Sequence, residues 1–246
     1  MLLRKCIASV RRTLNNEQYE ILVLDLGHDK TLKPASDLRI WRYSPPSPFA
    51  VSYNFLAKHA KGEKILLLNS DAVLKKKCVE SMLTELHDNV GAVGCQLVYP
   101  ARSPWAGLVQ HAGIFVRGIP PDPGSAIITR GFQQSNVLSL QVVEDVPAVT
   151  AACLLVQASA FNDVGGFDEK FINGYEDIAL CLSLWAAGWR VRYCGIACAT
   201  HLGNGTKGTT GNTATALEFA EQNARVLRKQ LKRWRVTLEE LQQFIP

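Results

Sequence analysis

The sequence predicts an α/β fold: a mostly parallel, doubly wound sheet flanked by helices, with a small antiparallel component. Three observations carry this expectation. The continuous apolar runs "YEILVLDLG" and "KILLLNSD" end in polar turns, as buried parallel strands do. Segments with helical spacing of apolar residues stand between such runs. The 246-residue chain is 47% hydrophobic and 20% charged, which suits one α/β unit with a sizeable core and excludes a disordered chain.

The elements follow in order. Residues 2 to 14 place Leu3, Ile7, Val10 and Leu14 on one face of a helix. "YEILVLDLG" is a strand that stops at Asp25 and Gly27, and "LRIWRY" is a second, weaker one. "FAVSYNFLAKHAKG" is a helix closed by Gly62, and "KILLLNSD" is the clearest buried strand. A helix over 76–88 and the strand "VGAVGCQLVYP" come next. Residues 100 to 145 are rich in Pro and Gly and read as irregular loops with edge strands. "AVTAACLLVQ" is a strand followed by the short helix "ASAFNDVGG". In the next helix Ile178, Cys181, Leu182 and Trp185 share a face, and Gly188 ends it. Residues 203–213 form a loop rich in Gly and Thr, and 214–235 a basic helix. With no repeat and no linker, the chain reads as one domain over 1–246, with 214–246 as its basic helix and tail.

The formal charge of +5 is mild; it would help hold an anionic ligand but does not argue for nucleic acid. No apolar run approaches the ~20 residues that span a bilayer. "MLLRKCIASVRRTL" is amphipathic and lacks the apolar core of a signal peptide. Seven cysteines, mostly in apolar runs, read as buried reduced thiols, which favours the cytoplasm. Cys194 and Cys198 have CxxxC spacing without a second pair, so zinc is not indicated.

In a doubly wound sheet the ligand sits outside the carboxyl ends of the strands, where Asp25 and Asp71 fall. A hard divalent cation wants oxygen ligands, and Asn69-Ser70-Asp71 offers a carboxylate there; the same Asp would also serve to cap a strand-end turn. His201, after a short apolar strand, offers an imidazole for a metal or is a packed structural residue. Glu176 and Asp177 open a helix, where acids suit the dipole and the N-cap. Charge at a helix start does not explain the loop before them, "GGFDEKFINGY", with its three aromatics and three glycines.

The run "VTAACLLVQASAFNDVGGFDEKFINGYEDIALCLSLWAAGWRV" resembles the signature of inverting nucleotide-sugar glycosyltransferases of the GT-A fold, family 2 type. "AKGEKILLLNSDAVL" is similar to that family's metal-site strand and "YEILVLDLG" to its base-side strand, and the likeness covers roughly residues 2 to 235. The resemblance implies a UDP- or dTDP-sugar donor, Mg2+ or Mn2+, and a glycan or lipid-linked acceptor. It implies that Asp25 reads the nucleotide base, with Asn69 beside the donor. By the same resemblance Asp71 would bind the metal, and His201 would complete the metal or diphosphate site. The resemblance likewise implies that Asp177 would be the general base, with Glu176 next to it.

Three departures from the family pattern bear on nucleotide affinity. The family opens with a central strand ending in a Pro-Thr-Tyr-like turn, and that strand is missing before residue 2; its loss would leave a gap in the ladder. Leu26 and His28 stand where Asn and Ser are usual, and Ala151 where a glycine is usual. Two rival readings therefore stay open: a non-catalytic protein that kept the fold and lost the nucleotide, and a sugar-phosphate nucleotidyltransferase. The second would want a glycine-rich basic phosphate loop near the start, which the sequence lacks. Arg225, Arg228, Lys229, Lys232, Arg233 and Arg235 would suit anionic lipid at the inner face of the membrane, or form a solvated basic face over Val226, Leu227 and Leu231.

Overall fold

The computed structural model describes residues 2–14, 18–27, 29–43, 47–119, 125–172, 174–203 and 213–244. His28 and positions 204–212 of the Gly/Thr-rich loop lie outside the described residues.

The chain opens with α1 (Leu2–Thr13), then β1 (Ile21–Asp25) and β2 (Leu38–Arg42), which pair in parallel as a separate two-stranded sheet. Next come α2 (Phe49–His59), β3 (Lys64–Leu68), β4 (Ala72–Leu74), α3 (Cys78–Glu85) and β5 (Val90–Val98). The middle contributes the short strands β6 (Val109–His111), β7 (Ile114–Val116), β8 (Ile127–Thr129) and β9 (Val143–Asp145). The chain then runs through β10 (Cys153–Gln157), α4 (Ala158–Asp163), α5 (Glu176–Ala186), β11 (Arg190–His201), α6 (Thr213–Trp234) and α7 (Leu238–Gln242).

The main sheet has the order β3-β10-β5-β11-β4, with β6 on β5 and β9 on β11. The α/β class stands, but the sheet is mixed rather than mostly parallel. Among the described residues only the β5–β11 pairing is parallel within it, and β10 is antiparallel to both its neighbours, β3 and β5. An apolar run reports that both faces of a strand are covered, and coverage is the same whichever way the strand points. Direction was set instead by the excursion between β5 and β10, which delivers the chain to β10 running backwards.

Alternate side chains of the sheet feed two apolar layers, as the pleat requires. Ala92, Leu154, Val156, Val191 and Tyr193 face one layer, closed by α4, α5 and α6. Val93, Cys95, Cys153, Leu155 and Cys194 face the other, closed by α1 and α3. All seven cysteines are free thiols. The Sγ atoms of Cys78, Cys95 and Cys153 lie within 4.8 Å of one another, a convergence of α3, β5 and β10 that CxxxC spacing does not reveal.

Gly94 and Gly166 are among the glycines that close approach dictates. A Cβ on Gly94 would lie 2.5 Å from Cβ of Val149, so only glycine lets the segment before β10 cross β5. Gly166 has φ +74°, and a Cβ there would meet Oδ1 of Asn54 at 2.6 Å. By contrast α2 ends at His59 with extended Ala60 as its cap, so Gly62 lies beyond the helix in the turn leading to β3.

α1 joins the small sheet to the large one. Arg4 Nε donates to Asp29 Oδ2 at 2.9 Å beyond β1, and the Cys6 thiol donates to Asn69 O at 3.5 Å beyond β3. β1 and β3 themselves do not pair, and among the described residues each keeps an edge without a ladder partner. No helix of the described residues is long and apolar enough to cross a membrane. On α6, Leu227 and Leu231 are buried while Arg225, Lys229, Lys232 and Arg233 are exposed, as an amphipathic surface helix requires.

Candidate active site

Asp71 and His201 meet where β3 and β11 end and β4 begins. His201 pairs with Ala72 across β11 and β4, and Leu202 N donates to Asp71 O at 3.3 Å. The side chains follow the backbone: His201 Nε2 lies 3.2 Å from Asp71 Oδ1, and each side chain is only 12% exposed. Burial pushes the Asp71 carboxyl up, but His201, with backbone N–H groups of Asp71 and Gly203, holds it below the ordinary value on balance. Asn69 Nδ2 is 3.3 Å from the same imidazole nitrogen, and Tyr53 from α2 donates to Leu68 O at 3.0 Å, fixing the strand end. One carboxylate oxygen and one imidazole nitrogen, with the Asn69 amide beside them, form a donor set that suits Mg2+ or Mn2+.

The two acids at the start of α5 part company. The cap position is Tyr175, at φ 69° and with no side-chain cap bond, so neither acid is the N-cap. Glu176 turns back into its own loop and accepts from Gly174 N. Asp177 turns toward the segment before β10. Its Oδ2 accepts from Ala151 N at 3.3 Å and its Oδ1 from Ile178 N at 2.9 Å. Burial raises the Asp177 pKa, and the bonds from Ile178, Thr150 and Ala151 only partly offset this. A carboxyl poised upward in this way suits general base work.

A single turn, Thr150-Ala151-Ala152, joins these two ends. Ala151 N binds Asp177, and Ala152 O accepts from Asn69 N at 3.0 Å. The aromatic loop between them and α6 is clamped from both sides. Asn54 Oδ1 accepts from Phe167 N and its Nδ2 donates to Phe167 O, each at 2.9 Å. Asn223 Oδ1 accepts from Ile172 N at 2.9 Å and its Nδ2 donates to Ile172 O at 3.0 Å. These paired amide bonds fix a stretch whose backbone has no sheet or helix ladder of its own.

Asp25 stands apart from that cluster, on the small sheet. It is 4% exposed, its Oδ1 accepts from Gly27 N at 3.0 Å and Asp29 N at 3.3 Å, and Arg42 Nε lies 3.7 Å from Oδ2. Ala151 is buried against the turn it helps form. Two neighbours on β6 were not singled out by the sequence. Gln110 contacts His201, and buried His111 accepts through Nε2 from Gly113 N at 3.2 Å and Thr150 N at 3.5 Å. Burial, then the charges of Arg130 and His201, push the His111 pKa down to about 3, so its ring is a neutral acceptor behind the turn. Only their polarity within the short strand "VQH" marks them in the sequence.

Solved structures share this architecture. The crystal structure of GalNAc-T7 with UDP, GalNAc and Mn2+ superposes with TM-score 0.62 at 13% identity, over 81% of this chain and 40% of that one. The mannosyltransferase PcManGT from Pyrobaculum calidifontis, in complex with GDP-Man and Mn2+, gives 0.59 at 13% identity, over 97% and 64%. At such identities the likeness shows the fold, which is GT-A. Among curated proteins, the O-antigen biosynthesis protein RfbC of Myxococcus xanthus is 30% identical over 210 residues, 77% of this chain. The pre-mycofactocin glycosyltransferase of Mycobacterium tuberculosis (strain CDC 1551 / Oshkosh) is 42% identical over 71 residues, 29% of this chain and 14% of its own. The alignment with RfbC takes in 15% of RfbC's length, so this chain corresponds to a part of that longer protein. The family model for glycosyl transferase family 2 matches residues 2–138, more than half of the chain, and the chain belongs to that family.

Proposed function

We propose that this protein is an inverting glycosyltransferase that moves a sugar from a UDP- or dTDP-sugar to a glycan or lipid-linked acceptor in surface polysaccharide synthesis. The observation that carries the reading is the joining of the Asp71–His201 pair to Asp177 through Thr150-Ala151-Ala152. Mn2+ and a nucleotide or nucleotide-sugar in the related GT-A structures, and the name of the RfbC relative, support it.

Asp71 and His201 would hold the divalent cation, with Asn69 beside the donor. When bound there, Mg2+ or Mn2+ supplies positive charge against the departing nucleoside diphosphate. Asp177 takes the proton of the acceptor hydroxyl while that oxygen bonds to the anomeric carbon. The bond from that carbon to the diphosphate breaks on the opposite face, so the configuration inverts. Glu176 shapes the loop by holding Gly174, and the loop's Phe167 and Phe171 anchor it in the core beneath the site. Asp25 is assigned to the nucleotide base by its place at the end of β1. The site would work in the cytoplasm, and the exposed cations of α6 offer a contact with anionic lipid where the acceptor is lipid-linked.

Calorimetric titration of UDP with and without Mn2+ tests the reading. Wild type is expected to bind UDP more tightly with Mn2+, and Asp71→Ala to lose that gain while keeping its fold by circular dichroism. Equal, metal-independent affinities in both proteins would overturn it.

A further inference from the structure

Gln110 is the central residue of β6, and its amide contacts His201 twice. Oε1 lies 2.6 Å from Nδ1 of the imidazole, and Nε2 donates to the His201 carbonyl at 3.4 Å. An amide oxygen can only accept, so Nδ1 must carry a hydrogen. The opposite amide orientation would let the amide nitrogen donate to a bare Nδ1, but it would set Oε1 against the His201 carbonyl, two acceptors facing each other. Space for the amide is kept by Gly203, at φ +67°, where a Cβ would meet Gln110 Nε2 at 2.7 Å.

A neutral imidazole has one ring hydrogen. With it on Nδ1, the Nε2 lone pair points into the space it shares with Asp71 Oδ1 at 3.2 Å and Asn69 Nδ2 at 3.3 Å. Without a metal, that position is satisfied by Asn69 Nδ2–H or by a proton on Nε2 donating to Asp71; a divalent cation between lone pair and carboxylate takes the place of either. We propose that Gln110 is a positioning residue that locks His201 as the Nδ1–H tautomer and so turns Nε2 into a ligand for a divalent cation shared with Asp71. The inference deepens the proposed function and rests on its metal reading. The outer hydrogen bond of a metal-bound His fixes tautomer and ring orientation, and its loss costs roughly 10–100-fold in metal affinity.

The test uses the full chain with Mn2+ and saturating UDP. Free aqua-Mn2+ is followed by electron paramagnetic resonance, and the His201 tautomer by long-range proton–nitrogen correlation on histidine-labelled protein with diamagnetic Mg2+ in place of Mn2+. Gln110→Ala is expected to bind Mn2+ roughly 10–100-fold more weakly and to lose the pure Nδ1–H tautomer, with its melting transition retained. Gln110→Glu, which keeps an acceptor at Nδ1 but loses the donor to the His201 carbonyl, is expected to restore the tautomer and part of the Mn2+ affinity. If Gln110→Ala binds Mn2+ as wild type does, this inference falls alone. An Nε2–H tautomer in wild type also overturns it. Failure of wild type to bind Mn2+ with UDP at all would remove the metal reading itself and this inference with it.

Discussion

The backbone N–H of Asn69 donates to the carbonyl of Ala152 at 3.0 Å. Through that one bond the end of β3, which carries Asp71, is locked to the turn whose Ala151 N–H holds Asp177. The two ends of the site come from segments about a hundred positions apart, and a two-residue stretch sets their separation.

Asp177→Asn separates a base from a structural acid. The amide keeps one acceptor for Ile178 N or Ala151 N, so the stability loss is expected on the order of 1 kcal/mol. Transfer is expected to fall roughly 10²-fold or more, because the amide cannot take a proton. Glu176→Gln keeps an oxygen for Gly174 N and is expected to cost turnover far less. Turnover, donor affinity and thermal melting on both variants decide this; an active Asp177→Asn would end the assignment.

The pH profile follows from the Asp177 shift. Burial raises its pKa above 3.8, and the base works only when ionised, so the acid limb of kcat/KM is expected above the ordinary Asp value. The stability effect has the opposite sign. Because the folded state holds this proton more tightly than the unfolded chain, Asp177 stabilises below the ordinary pKa, and that contribution is lost as pH rises through the raised one. Asp71, whose pKa is lowered, stabilises above the ordinary value and loses this as pH falls through its folded pKa. Chemical denaturation across pH, with wild type and Asp177→Asn, reads the first slope as a difference.

Gly94→Ala should be felt at both ends of the site. The added methyl would fall 2.5 Å from Cβ of Val149, immediately before the Thr150–Ala152 turn. Overpacking of this kind costs about 1–3 kcal/mol. The urea midpoint is expected to drop accordingly, and turnover to drop further than donor affinity as Asp177 loses its register with Asn69. A midpoint equal to that of wild type would show that the crossing over β5 has slack.

Among the described residues β1 and β3 each keep an open edge, which leads to a fourth expectation. We propose that an apolar strand ending in a Pro-Thr-Tyr-like turn, added ahead of residue 2, pairs between them and tightens UDP binding. Calorimetry on the extended and present chains is the check. Micromolar UDP binding by the present chain would show the strand to be dispensable.

Much of this protein was legible in the residues themselves. Apolar runs marked β1, β3, β5 and β10, helical spacing marked α1, α2 and α5, and Gly188 at φ +87° follows α5 as a left-handed residue after a helix should. These are local properties: the period of burial and the φ preference of one residue are written within a few positions. Asp25 and Asp71 at strand ends were fixed the same way. Tertiary structure alone decided the rest. It ran β10 antiparallel to both neighbours, drew Cys78, Cys95 and Cys153 together, turned Glu176 inward and Asp177 toward Ala151, and set Gln110 against His201. Each depends on which distant segments the path of the chain brings side by side, and side-chain periodicity, which reports only whether a residue is covered, carries no record of what covers it.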